Sequence, residues 1–260
     1  MAKRVDNHSH IILANINDMV AAAKAKGVTE YSITEHVSQF KELRESIKFG
    51  STHTSGRLFA DLNEYEREFQ KIEPLDPGMK VNRGLEVDFS PRFQSQIAEF
   101  VDRSEWDILL CSVHEFENAK DIEGNPGRAL DQDELNSRWR EYIRLQQLAL
   151  ESDFIPFQVL AHPVRMFRGL RAVSSEMDEL LLRLAATAAT REKALELNGN
   201  DIDNAPKLVR TLASACSKTG CRVSLGSDAH HPKGVFRNME TAMQLVDEFK
   251  LRQFSLASTR

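Results

Sequence analysis

Cysteine is scarce in this chain and badly spaced for a scaffold role. The three cysteines, Cys111, Cys216 and Cys221, are an odd number with no Cys-x-x-Cys pair, which argues against a disulfide framework or a structural zinc knuckle and fits a reducing compartment. Long apolar runs are missing too. The opening MAKRVDNHSHIILAN carries basic residues but an apolar run of only four, too short for the core of a secretory signal, and no later segment reaches the ~20 apolar residues a membrane span needs. A cytoplasmic protein with no membrane partner is expected. Positive charge is not in excess: 34 Lys and Arg against 39 Asp and Glu give a net charge of −5. Long nucleic acid is therefore not an expected partner, while a small anionic substrate is compatible. No low-complexity tract, repeat or Gly/Ser/Pro-rich linker interrupts the chain, so residues 1–260 are expected to form one domain.

What is present is alternation. Short β-type runs fall at 4–11, 30–36, 79–89, 107–116, 157–163, 193–199 and 221–230, and helical patterns lie between them. Residues 58–73 place Phe59, Leu62, Tyr65, Phe69 and Ile72 on one face at spacings of three and four, as a half-buried helix requires. Pro206 and Gly220 punctuate a second helix, and Ser174 or Ser175 suits the cap of the helix that runs to about Thr190. Seven strands alternating with helices imply an α/β fold with a parallel sheet. The length is close to the ~250 residues of a closed TIM-like β/α barrel, with an open doubly wound sheet as the alternative.

Closure is favoured by chemistry at the strand ends. His8 and His10 stand one residue apart, so on an extended strand they point the same way. His36, Glu86, His114, His162 and the pair Asp228 and His230 follow at the ends of later runs, so six of the eight histidines belong to this set. Singly, each is as well explained by a hydrogen-bonded structural histidine or carboxylate. Jointly, six imidazoles and two carboxylates at one barrel mouth would leave polar groups unsatisfied without a cation. The donor set suits two or three divalent ions such as Zn, Mn or Fe, and is too rich in nitrogen for Mg or Ca. Asp88 and Glu196 are candidates to face the same cavity.

The ordered motifs H-x-H, ITEH, GLEVDF, SVHEF, AHP and GSDAHH, running from Asp6 to about Phe249, resemble the polymerase-and-histidinol-phosphatase (PHP) superfamily. GLEVDF and SVHEF look most like its histidinol-phosphate phosphatase branch. The resemblance implies a distorted (β/α)7 barrel with a trinuclear centre at the C-terminal ends of the strands. One metal would take His8, His10, Glu86 and Asp228; a second would share Glu86 and add His114 and His162; a third would take His36 and His230. Relatives usually complete the third site five or six residues after the second histidine of H-x-H, where this chain has Asn15 and Ile16, so Asn15 is the only candidate and a poor one. Asp18, with Asn17 expected as helix cap, belongs to the first turn of a helix.

Such a centre suits phosphate-ester hydrolysis. In this reading Asp228, Glu86 and His230 are catalytic, with a water shared by two metals attacking phosphorus and Asp228 accepting its proton; His231 is near enough in sequence to be considered as the acid. Arg165 and Arg168, with Arg171, and Lys233 leave the same face and suit phosphate recognition. The stretch 37–58, with His53 and Arg57, reads as a lid over the substrate. A small phosphomonoester, with L-histidinol phosphate the best single choice, is the expected substrate. The alternatives are a nucleotide or nucleic-acid phosphodiesterase or exonuclease of the same superfamily; an amidohydrolase, disfavoured because Glu86 stands where a bridging lysine is typical; and a non-catalytic metal-binding barrel, disfavoured by the nearly complete ligand set.

Overall fold

Among the described residues, eight strands pair in chain order, every pair parallel: β1 Val5–Asp6, β2 Glu30–His36, β3 Lys80–Asp88, β4 Ile108–Ser112, β5 Val159–Leu160, β6 Ala194–Asn198, β7 Arg222–Gly226 and β8 Arg252–Gln253. They belong to a computed structural model that describes residues 3–49, 56–74, 78–117, 122, 131–166, 174 and 176–256. The sheet curls into a TIM-like barrel. Its seam is closed above β1, where Asn7 N–H donates to Leu225 O, Asp228 N–H to His8 O and His10 N–H to Ala229 O, each at 2.8 Å. Around it lie α1 Ile16–Ala25, α2 Lys41–Ser46, α3 Leu62–Phe69, α4 Gln94–Val101, α5 Gln132–Glu151, α6 Met177–Thr190, α7 Gly199–Asn204, α8 Pro206–Thr219 and α9 Met239–Glu248.

The seven strands read from the sequence are all present, and β8 adds an eighth. It holds two residues and pairs only with the start of β7, so it has no periodicity to detect. Beyond it the chain turns under the barrel: Phe254 and Leu256 pack with Ile108, Leu110, Val159, Ala161 and Ala194 in a small core separate from the main one. The other side of the interior is polar, with Asn7, Ser32, Asn82 and Ser224 joined by hydrogen bonds of 3.2–3.3 Å.

Local signals held where a side chain closes a helix end. Asp61 accepts from Glu64 N–H at 2.7 Å to start α3, Pro206 opens α8, and Gly220 ends it in the left-handed region at φ 71°. Ser174 accepts from Glu176 N–H at 3.1 Å just before α6; Ser175 lies outside the described residues. α1 is capped by Asn15 rather than Asn17. The stretch 37–58 does not read as a lid in its described part: Val37–Gln39 forms a 3-10 turn, α2 follows, and Val37, Phe40, Leu43 and Ile47 are buried.

Candidate metal centre

Register brings the first two candidate ligands together, because His36 at the end of β2 pairs directly with Glu86 on β3. Glu86 is fully buried and lies among five imidazoles. Its Oε2 is 2.9 Å from His36 Nδ1, 3.1 Å from His8 Nε2 and 3.5 Å from His10 Nε2. Its Oε1 is 2.7 Å from His162 Nε2 and 3.2 Å from His114 Nε2. On the β7 side, Asp228 Oδ1 lies 3.3 Å from His10 Nε2 and 3.7 Å from both His8 Nε2 and His230 Nδ1. β1 itself stops at Asp6, yet the two rings of H-x-H converge, with Nε2 atoms 3.1 Å apart.

Among the described residues, three overlapping groups have donor atoms mutually within 4.8 Å: His8, His10 and Asp228; His36, Glu86 and His114; and His10, His36 and His230. Buried nitrogens and carboxylate oxygens at these separations fit borderline divalent ions. All eight residues of the sequence-read cluster are thus in one place. Asn15 is the exception: it is exposed, and its Oδ1 accepts from Asn17 N–H at 2.8 Å. A short side chain at the head of a helix satisfies an orphan amide there, so Asn15 is withdrawn as a ligand.

A ring of carboxylates behind the imidazoles fixes their orientation. Glu196 Oε1 is 2.9 Å from His8 Nδ1, and its Oε2 accepts from His162 N–H at 2.7 Å. Glu35 Oε1 is 3.2 Å from His10 Nδ1, and Asp88 contacts His114 Nδ1. Such partners set the tautomer and basicity of a metal-binding imidazole. Glu35 escaped sequence reading because it alternates out of phase with His36 on β2, although it sits inside the ITEH motif. Backbone strain accompanies the arrangement: His162 and Asp228 have φ of 33° and 56°, a region unfavourable for residues with a Cβ.

The charges respond to one another. Burial opposes ionisation of Glu86, but His36, His8 and His114 outweigh it and hold the carboxyl well below its usual range. Burial likewise works against a proton on His10, yet hydrogen bonds to Asp228 and Glu35 lift it to about 9. His8 and His114 are raised by their carboxylates despite burial. His36 is lowered by burial, and His230 is lowered to about 4, by burial first and then by His10. His10 contributes stability below pH 6.5 that is lost as pH climbs through about 9, and the raised His8 and His114 act in the same sense. Metal needs those nitrogens deprotonated. Chelator-treated protein is therefore expected to lose thermal stability from pH 6.5 to 9 while loaded protein holds or gains it; parallel melting curves would contradict this.

The candidate substrate cations fare differently. Arg165 is buried, donating from Nε to Asp201 Oδ1 at 2.6 Å and from a terminal nitrogen to Asn198 Oδ1 at 2.7 Å, with another 2.7 Å from Asp228 Oδ2. It is tied to the centre through a ligand rather than lying in a solvated loop. This arginine also bears on Asp228: burial opposes that charge, but Arg165 and then His8 keep the carboxyl well below its usual range, making it a poor proton acceptor. Arg57 is engaged by Glu64 at 2.6 Å and Glu68 at 2.7 Å and stacks on Phe59, which disfavours it as a phosphate ligand. Lys233 and His231 are exposed just after the Asp228 turn. His53, Arg168 and Arg171 lie outside the described residues.

Gly226 is the tightest point of the frame. A Cβ there would meet Glu196 Oε1 at 2.1 Å and His8 Cβ at 2.5 Å. Gly226→Ala is expected to displace both, costing about 1–3 kcal/mol from overpacking and lowering metal content, as unfolding and elemental analysis would report. An unchanged pair of measurements would mean the strand shifts freely.

Comparison with known proteins agrees with this geometry. The PHP domain family matches residues 7–200. A histidinol-phosphatase of Lactococcus lactis subsp. lactis (strain IL1403) is 26% identical, over 94% of this chain and 90% of its own length. A probable histidinol-phosphatase of Thermotoga maritima is 23% identical, over 97% and 95%. Among solved structures, the Lactococcus lactis histidinol phosphate phosphatase complexed with zinc, L-histidinol and phosphate superposes with a TM-score of 0.72 at 23% identity, covering 97% of this chain and 95% of that one. A putative histidinol phosphatase of Listeria monocytogenes gives 0.71 at 17%, covering 91% and 98%. The family match takes in every motif from H-x-H to AHP, and the barrel carries the rest of the cluster, Asp228 and His230, just after β7: this chain belongs to the PHP domain family.

Proposed function

We propose that this protein is a metal-dependent phosphatase of small phosphomonoesters, with L-histidinol phosphate as its substrate. The observation that carries the reading is Glu86, a buried carboxylate within 3.5 Å of five imidazoles. A shared carboxylate with separate nitrogen donors on each of its oxygens is what a multinuclear site needs. Divalent ions held there would lower the pKa of water and neutralise charge on a phosphoryl group. Glu86, His8, His10, Asp228, His114 and His162 would hold two such ions between them, and His36 and His230 form a third donor group with His10. His230, whose side chain is 26% exposed, is the most accessible of the six imidazoles and faces the substrate side. Arg165 holds Asp228 ionised as a ligand. Lys233 is proposed as the phosphate-side cation of the described residues.

The choice of substrate rests on the histidinol-phosphatase relatives, and the reaction class on the donor set. Purified protein loaded in turn with Zn, Mn and Fe, and assayed on L-histidinol phosphate, sugar phosphates and nucleotide monophosphates, tests both. The highest kcat/KM is expected on L-histidinol phosphate. Preference for another monoester would overturn the substrate alone, and greater activity on single-stranded DNA than on any monoester would overturn the phosphatase reading.

A further inference from the structure

At the rim opposite the metal centre, the starts of three strands gather positive charge. Lys193 precedes β6, Arg222 begins β7 and Arg252 begins β8; with Arg191 they line a recess of about 490 Å³ in which Glu192 is the single carboxylate among the lining residues. The register is unusual, because Arg222 and Arg252 are direct partners across the parallel ladder, an arrangement that like charges disfavour.

The neighbourhood neutralises little of this. Arg191 is paired with Asp153. Lys193 Nζ donates to Phe157 O at 2.5 Å and Arg222 donates to Glu192 O, but a carbonyl carries no net charge. The Arg252 side chain has no hydrogen-bond or ion-pair partner among the described residues. Lys193 is also pushed below its usual pKa, by burial and then by Arg191, as expected for cations held together. A chain of net charge −5 thus concentrates unneutralised cations in one concavity.

We propose that this recess is a binding site for a small multivalent phosphate anion, inorganic or carried on a nucleotide. Arginine forks and a lysine on adjacent strands match several phosphate oxygens at once. The aromatic faces nearby are already covered: Lys193 lies 4.7 Å from the Phe157 ring centre and Arg222 lies 5.6 Å from that of Phe254. Among the described residues Phe157 is the only ring lining the recess, so the anion is recognised by its phosphates alone. The site and the metal centre lie at opposite ends of the same strands, roughly 15–20 Å apart at 3.3 Å per residue, so an anion here does not compete with substrate.

The test is calorimetric titration of metal-loaded protein with tripolyphosphate and, separately, with ATP, each as its magnesium salt so that resident metals are not stripped. Both are expected to bind with equal affinity within about threefold, more weakly as salt rises. Arg222→Glu combined with Arg252→Glu is expected to weaken both by more than about tenfold, with metal content and phosphatase kcat/KM unchanged. Arg252→Gln, which removes an exposed charge with no partner, is expected to weaken them about threefold and decides the matter if the double variant does not fold. Unchanged affinity in the variants would overturn the site. ATP binding much tighter than tripolyphosphate would overturn recognition by phosphate charge alone.

Discussion

Glu86→Ala is expected to release at least two metal equivalents and to reduce kcat/KM by on the order of 10³-fold or more, the loss of several kcal/mol of charge stabilisation at phosphorus. Five imidazoles face this carboxylate, so no neighbour replaces it. Glu86→Gln keeps the shape and leaves one neutral oxygen, and is expected to retain the fold while losing most of the activity. Glu196→Gln is the contrast. Sequence offered Glu196 only as a candidate to face the cavity; in the fold it holds His8 Nδ1 and the His162 amide, so about a 10- to 100-fold drop in metal affinity is expected. Elemental analysis beside kinetics separates the two. Full metal content in Glu86→Ala would remove the residue from the centre.

The contrast between positions 86 and 196 shows where sequence is informative. A ligand at the end of a strand is legible because alternation and the strand's end fix both its face and its height, and this was enough to gather His8, His10, His36, Glu86, His114, His162, Asp228 and His230. The barrel was legible for the same reason, apart from the two residues of β8. Behind the ligands, Asp88 and Glu196 were named as cavity candidates, but the remaining groups were not. Glu35, Asn198 and Asp201 reach the centre by contacts to residues 25 to 36 positions away, and nothing in their own neighbourhood announces that. Asn15 failed in the other direction: a spacing carried over from relatives pointed to a ligand, while the local demand of a helix start claimed the side chain.

Arg165 is the residue whose role changes most between sequence and structure, and its replacement tests that change. Sequence placed it among the cations suited to phosphate recognition, a role in which neutralisation would raise KM and little else. In the fold it sits 4% exposed between Asp201 and Asp228, themselves 2% and 5% exposed. Arg165→Met would leave two buried carboxylates without their cation, at a cost of about 3–5 kcal/mol near pH 7. The sign with pH follows from Asp228, whose carboxyl is depressed from 3.8, against burial, first of all by this arginine. Its stabilisation is present above pH 3.8 and lost as pH falls through the lower folded value, so the deficit of the variant is largest at neutral pH and shrinks in acid. Arg165→Lys keeps the charge but cannot span Asp201, Asn198 and Asp228 together, and is expected to fall between. Denaturant unfolding at pH 7 and again well below pH 3.8, with metal content and KM on the neutral samples, measures each of these. A raised KM with stability and metal unchanged would mean that the guanidinium serves the substrate phosphate, as the sequence first implied, and that its ties to Asp201 and Asp228 carry no weight.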